Sequence, residues 1–177
     1  MRRSTKWLLV GGTAGTASAL VAAYGTMVRP WHLAWGATFE EAHRAMPFDE
    51  LIPHPNYVAT RAITVDAAAE IVWKYVTERS SLPVDTIVRH VEMNRCVVFA
   101  PPELEAEATW VVTLEPRDGA TRVVSRNRAR FGHTLSAIVR YLFVDVGQFW
   151  FERRWLLRVK ARSEALQNQM KITELVP

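Results

Sequence analysis

Residues 57 to 76, YVATRAITVDAAAEIVWKYV, hold the change of pattern on which the fold turns. From Val58 to Val65 the side chains alternate, Thr60, Ala62 and Thr64 on one face and Ala59, Arg61, Ile63 and Val65 on the other, which is the period of a strand. From there the period becomes helical. Ala68, Val72, Tyr75 and Val76 fall on one stripe while Glu70, Lys74 and Glu78 point the other way. Asp66 stands at the switch, where its carboxylate is expected to cap the free amides of the first turn. The helix is expected to stop near Ser80, ahead of Pro83. The stretch holds no nucleophile motif, metal-ligand pair or phosphate loop, so its purpose must be sought in what surrounds it.

Downstream, period two returns. Strands are expected over Asp85 to Glu92, Cys96 to Ala100, Ala106 to Glu115 and Thr121 to Phe131, joined by Met93-Asn94-Arg95, by PPELE and by the turn Pro116-Arg117-Asp118-Gly119. Consecutive strands on short turns make an antiparallel meander. The third strand puts Ala108, Trp110, Val112 and Leu114 on one face, an apolar row that needs a cover. The cover is the last element: from Thr134 to Leu166 there is no proline, and apolar residues recur at helical spacing from Leu135 through Leu157. One long helix laid across a curved antiparallel sheet makes the fold class α+β.

Upstream, residues 7 to 28, WLLVGGTAGTASALVAAYGTMV, carry no charge, and as a helix they would span about 33 Å, enough to cross a hydrocarbon core. Arg2, Arg3 and Lys6 precede them and Arg29-Pro30-Trp31 follows as a basic and aromatic interface stop. The expectation is a transmembrane helix with the N-terminus in the cytoplasm and the domain outside; the alternative is export after signal cleavage, with Val21 and Ala23 as the small residues before the cut. Between anchor and strand lies a proline-containing connector in which Thr38 and Glu41 form a capping box, giving a brief helix over Phe39 to Ala45. The organisation is then anchor 1–30, connector 31–56, domain 57–167 and tail 168–177.

The formal charge of +4 belongs to the N-terminus. Arg2, Arg3, Lys6 and Arg29 are the only charged residues in the first thirty, leaving eighteen basic against eighteen acidic residues in the remainder. A neutral body gives no argument for nucleic-acid binding. The single cysteine, Cys96, excludes an intramolecular disulfide and is expected to be a small buried apolar residue.

His32, His43, His54, His90 and His133 are scattered without ligand spacing, so no metal or cofactor is expected. His90 and Glu92, two apart on a strand, share a face and would permit an acid/base pair, although a solvated strand face explains them more simply. No residue is assigned a catalytic role. Arg126, Arg128 and Arg130, with Arg122 in phase, form a row that would suit an anionic group; a solvent-facing row opposite acidic neighbours is the favoured reading. In FWFERRWLLRVKAR, Trp150 and Trp155 among Arg153 and Arg154 give the mixture found where a helix touches a lipid surface, with aromatic core packing beside a solvated basic edge as the plainer alternative.

The order strand, helix, antiparallel strands, long C-terminal helix resembles the helix-grip fold of the START-like (SRPBCC) superfamily, which contains polyketide cyclases, plant pathogenesis-related allergens and coenzyme Q-binding proteins. More closely, WHLAWGAT, DELIPHPNYVATRAITVDA followed by VW, and FERRWLLRVKARSEAL resemble a bacterial branch of that superfamily whose members often carry an N-terminal anchor. The likeness covers residues 31 to 79 and 106 to 166. In the middle the chain departs from it: Arg79-Ser80-Ser81-Leu82-Pro83 leads almost at once into strand-like sequence where the branch has a longer stretch rich in Gly, Trp and Tyr. The resemblance implies a hollow between sheet and long helix for an apolar or amphipathic small molecule, lined by Trp73, Tyr75, Trp110, Val112, Leu142, Val146 and Phe149, unless these residues simply fill a core. Three functions follow, in order: a membrane-anchored binding module for a lipid-like molecule, a non-catalytic scaffold with a closed pocket, and a cyclase- or dehydratase-like enzyme.

Overall fold

The computed structural model describes residues 23–83, 86–100, 107–132 and 135–175, except for the side chains of 135–144 and 174–175. By its internal contacts the chain divides into Met1–Leu33 and Ala34–Pro177.

The described part of the first unit is helical throughout. A π-type turn spans Tyr24–Val28 and α1 spans Arg29–Leu33. Pro30 has no amide hydrogen and its ring crowds the carbonyl four residues back, a disturbance that suits the wider turn before it, in which the Arg29 amide bonds Tyr24 O. The helix thus continues through Arg29-Pro30-Trp31. Met27, Val28 and Trp31 are exposed. Most of the candidate anchor, residues 7 to 28, lies outside the described residues; among the described residues no helix is long and apolar enough to cross a membrane.

In the second unit, α2 (Phe39–His43) starts with the expected capping box: the Glu41 amide donates to Thr38 Oγ1 at 3.1 Å and the Thr38 amide donates to Glu41 Oε2 at 2.7 Å. A 3-10 turn at Asp49–Leu51 leads to β1 (Tyr57–Val65), followed by α3 (Ala69–Val76) and a second 3-10 turn at Arg79–Ser81. Then come β2 (Ile87–Glu92), β3 (Cys96–Ala100), β4 (Ala108–Arg117), β5 (Ala120–Ala129) and α4 (Leu135–Leu175). The strands form one antiparallel sheet in the order β1-β5-β4-β3-β2. The meander from β2 to β5 is as expected, and β1 closes it by pairing with β5, Ile63 opposite Val123 and Tyr57 opposite Ala129.

Three local expectations are corrected. The β4–β5 turn shrinks to Asp118-Gly119, because Gly119 takes φ +73° and lets Arg117 pair directly with Ala120. Asp66 does not cap α3. Ala68 holds the cap position with no side-chain cap; its amide donates to Gln167 Oε1 at 3.0 Å and the Asp66 amide to Glu164 Oε1 at 2.9 Å, so α4 holds the chain that enters α3. Finally, α4 does not end at Leu166 but runs to Leu175.

Except at the edge strand β2, which is exposed, the sheet is buried on both faces. One face packs against α3 and α4 around Val65, Val72, Val76, Phe99, Val112, Trp155 and Leu156. Burying a side chain of this kind contributes roughly 1.5–3 kcal/mol. The opposite face, expected to be wet, carries a second cluster of Met46, Ala62, Cys96, Val98, Val111 and Val124, with Ala37 and Phe48 against it. The connector does the covering. Gly36 approaches β1 so closely that a Cβ there would lie 2.1 Å from Ala62 O, and its φ of +71° is one that glycine alone adopts freely.

Candidate functional site

The face of β1 that carries Ala59, Ile63 and Val65 also carries Arg61, and the structure turns that face toward α4. On α4 the buried stripe is Asp145, Phe149, Glu152, Leu156, Val159 and Ser163, spaced three and four apart. Arg61 and Glu152 therefore meet inside the sheet–helix interface, where the Arg61 Nη1 donates to Glu152 Oε2 with both side chains fully buried. The other acceptor, Glu152 Oε1, takes the Ser125 hydroxyl, and Asn127 Nδ2 donates to Oε2 at 2.8 Å. Gln148 Nε2 donates to Asn127 Oδ1 at 3.3 Å, and Trp110 Nε1 to Ser125 Oγ at 2.7 Å. The Arg61 guanidinium lies 5.5 Å from the centre of the Phe149 ring.

Burial pushes the Glu152 carboxyl above the usual range, while Arg61, Ser125 and Asn127 pull it back. For Arg61 burial disfavours the charge, but Glu152 and Tyr57 outweigh it and hold the guanidinium more firmly charged than usual. Burial pushes the Tyr57 phenol up to about 12, so it stays protonated near neutral pH and serves as a hydrogen-bonding group rather than a base. The ensemble offers guanidinium, amide and phenol donors beside carboxylate acceptors, set in apolar walls. Glu152 already has three donors on its two oxygens, which leaves it poorly suited to hold a cation. Among the described residues no group of three potential ligands gathers elsewhere.

The residues singled out in the sequence are dispersed. Trp110 and Phe149 are buried beside this polar centre, and Val112 is buried in the adjoining core. Trp73 and Tyr75 pack at the edge of that core, Tyr75 beneath the Arg162 guanidinium at 4.4 Å. Val146 is 40% exposed on the far side of α4, and is not a lining residue. The side chain of Leu142 lies outside the described residues. Around Trp110 the rings of Phe99, Phe151 and Trp155 stand with centroids 4.8 to 6.1 Å away, filling that part of the interface. Among the described residues, clefts of about 190 and 360 Å³ open elsewhere, one beside Met46 and Cys96 and another between the β4–β5 turn and the C-terminal part of α4.

Within the arginine row only Arg130 is exposed, opposite Glu107 as expected of a solvated position; Arg122, Arg126 and Arg128 are neither solvent-facing nor open to an anion. Arg122 makes a two-pronged pair with Glu41 at 2.8 and 2.7 Å. Arg126 is 2% exposed and donates to Asp49 at 2.7 Å and to the carbonyls of Glu41, Ala42 and Arg44. Arg128 donates to Ile52 O and Arg130 to His54 O, with Glu107 2.8 Å from Arg130. The row straps the connector to the sheet, and the buried positions of Arg122 and Arg126 leave them no alternative but paired acceptors. Of the surface quartet, Trp155 is 1% exposed and belongs to the core, whereas Trp150 is 55% exposed. Arg154 is exposed and Arg153 is half-buried over the Trp35 ring. His90 and Glu92 share an exposed strand face, 3.5 Å apart.

A sheet in which the first strand closes on the last, covered by one long C-terminal helix, is the α+β arrangement that the order of elements was expected to give. Solved structures similar to it include the Aha1 dimer from Colwellia psychrerythraea (14% identity, TM-score 0.46, covering 61% of this chain and 96% of that one). A second is TTHA0849 from Thermus thermophilus (15%, 0.43, covering 62% and 99%), and a third the Polyketide_cyc-like protein Cgl2372 from Corynebacterium glutamicum (14%, 0.36, covering 67% and 93%). These likenesses concern the fold alone. No protein-family model and no curated protein matches the sequence.

Proposed function

We propose that this chain is a binding module for a largely apolar, amphipathic small molecule, taken up between the sheet and α4, with its polar end directed to Arg61, Tyr57 and Asn127. The observation that carries the reading is the fully buried Arg61–Glu152 pair, with Ser125 and Asn127 on its carboxylate, in the sheet–helix interface. An ion pair in that position is on average no better for stability than apolar side chains of the same size. A hydrogen-bonding centre walled by Phe149 and Trp110 is what orients an amphipathic ligand. The finer part of the proposal is that residues 7 to 28 hold the module at a membrane, with the N-terminus cytoplasmic and the domain outside; the uncharged run and the exposed Met27, Val28 and Trp31 at its end support this.

A second reading has an observation of its own. The ring cluster of Phe99, Trp110, Phe151 and Trp155 fills its part of the interface, as expected of a scaffold with a closed pocket. Native mass spectrometry of the full chain, purified gently from host membranes, separates the two. A co-purifying lipid-like or polyketide-like mass that is lost in Arg61→Met/Glu152→Leu supports the module. An empty chain that also fails to take up an apolar fluorescent probe supports the scaffold.

A further inference from the structure

The face of α4 turned away from the sheet has its own composition. At 3.6 residues per turn, Val146, Trp150, Leu157 and Ala161 fall within about 60° of one another, and all four are exposed, Trp150 at 55%. Arg154 and Arg158 border this strip along one side and Arg153 along the other. From Val146 to Ser163 the helix has one acidic residue, Glu152, and it is buried on the opposite side. Among the described residues neither Arg154 nor Arg158 forms an ion pair, whereas the neighbouring Arg162 is engaged by Glu78.

A helix face that is merely solvated carries mixed charge. Here an apolar centre is flanked by arginines on both sides, and the acid at its C-terminal end, Glu164, is paired with Lys160. A second copy of the chain fits it badly, since two-fold pairing of this face would bring arginines against arginines. An anionic lipid surface fits both halves of the pattern: indole and aliphatic groups settle at the headgroup boundary, while guanidiniums reach phosphates with their aliphatic stems lying in the apolar layer. We propose that this face of α4 docks on an anionic bilayer surface, with Val146, Trp150 and Leu157 at the boundary and Arg154 and Arg158 on the headgroups. The proposal is independent of whether the sheet–helix interface takes up a ligand, and of whether residues 7 to 28 span the membrane.

The test places a fluorophore on Ala161→Cys in the full chain, labelled selectively because the native Cys96 is buried. The labelled chain is mixed with phosphatidylcholine nanodiscs, with or without phosphatidylglycerol, that contain lipids bearing a quencher just below the headgroup. Quenching is expected on the anionic discs, to weaken in high salt, and to fall in Trp150→Ala. Each arginine near an anionic surface contributes about a factor of five, so Arg154→Gln/Arg158→Gln is expected to reduce the docked population on the order of thirtyfold. An unchanged thermal transition in each variant keeps the loss attributable to docking, and Asp118→Cys, exposed in the β4–β5 turn and off α4, serves as the label that should not be quenched. Equal quenching on neutral and anionic discs, or none on either, overturns the proposal. Disulfide-linked pairs forming through the thiol of the unlabelled Ala161→Cys chain, without lipid quenching of the labelled one, also overturn it and assign the face to a second copy.

Discussion

Arg61 on β1 and Glu152 on α4 stand 91 positions apart in the chain and meet as an ion pair with no solvent exposure on either side chain. Each is held by further contacts, Glu152 by Ser125 and Asn127, Arg61 by the face of Phe149. The pair ties the edge strand to the middle of the helix that the sheet grips, and it places the strongest polar groups of the interior where an amphipathic molecule would need them. Stability and binding thus make different demands on the same two residues, and substitution can separate them.

Removing one partner leaves the other charged or polar in a dry interior. Arg61→Met or Glu152→Leu alone is expected to destabilise the chain by about 3–5 kcal/mol. The double substitution restores an uncharged, filled interface and is expected to recover most of that loss. Urea denaturation of the four species forms a complete double-mutant cycle and reads the coupling directly. If the double variant is as unstable as either single one, the pair is a structural necessity, and the argument for a binding role loses its footing.

Acid should loosen the connector. Glu41 is held at about 2, chiefly by its hydrogen bonds from Arg122, against an ordinary 4.5. A carboxyl lowered on folding stabilises the native state fully above its unfolded value and loses that contribution as pH falls through the folded one. The stability difference between the native chain and Glu41→Gln is therefore expected to be constant above about pH 5, to shrink between 4.5 and 2, and to vanish below. Its plateau should be on the order of 3 kcal/mol. Denaturant titrations at closely spaced pH values measure it; a difference that stays flat down to pH 2 would assign the acid sensitivity to other groups.

Two glycines should respond oppositely to alanine. At Gly36 the positive φ and the Ala62 carbonyl, 2.1 Å from where a methyl group would sit, both oppose a side chain. Gly36→Ala is expected to cost more than about 1 kcal/mol, because the backbone has to shift along with the docked connector. Gly147 lies inside α4 with open space around its Cβ position, and Gly147→Ala is expected to stabilise by about 0.5–1 kcal/mol. Thermal melts of the two variants, side by side, distinguish these signs.

The fold was legible because its elements obey local periods: the alternation of Val58 to Val65, the helical stripe after Asp66 and the long proline-free run each lead to the element observed. What the sequence concealed was pairing across distance. Arg122, Arg126 and Arg128 alternate in phase, and alternation alone cannot tell a wet face from one covered by a segment 76 to 86 positions earlier. The entry to α3 was concealed for the same reason, since Glu164 and Gln167, which accept the Asp66 and Ala68 amides, arrive from α4. The polar centre did leave a signal. Arg61 shares a strand face with Ile63 and Val65, and Glu152 sits three positions after Phe149 and four before Leu156; a charge on each of two apolar stripes that must meet implies a pair. Trp155, by contrast, is an aromatic among arginines whose burial only the helix's orientation decides.

Cys96 offers a direct reading of how firmly the strap holds. Its thiol sits in the core under the connector, beside Met46, and burial pushes it up to about 11. At pH 8 only about one thiol in a thousand would then be thiolate even with access granted, so alkylation of the folded chain is expected to be slow and to proceed through opening of the connector. Arg126 holds that segment through Asp49 and the carbonyls of Glu41, Ala42 and Arg44. Arg126→Met removes all four contacts, and is expected to speed alkylation of Cys96 by at least about tenfold under conditions where circular dichroism shows the sheet and α4 intact. Equal rates in both chains would mean that the thiol is exposed by global unfolding, and that the strap opens only when the whole domain does.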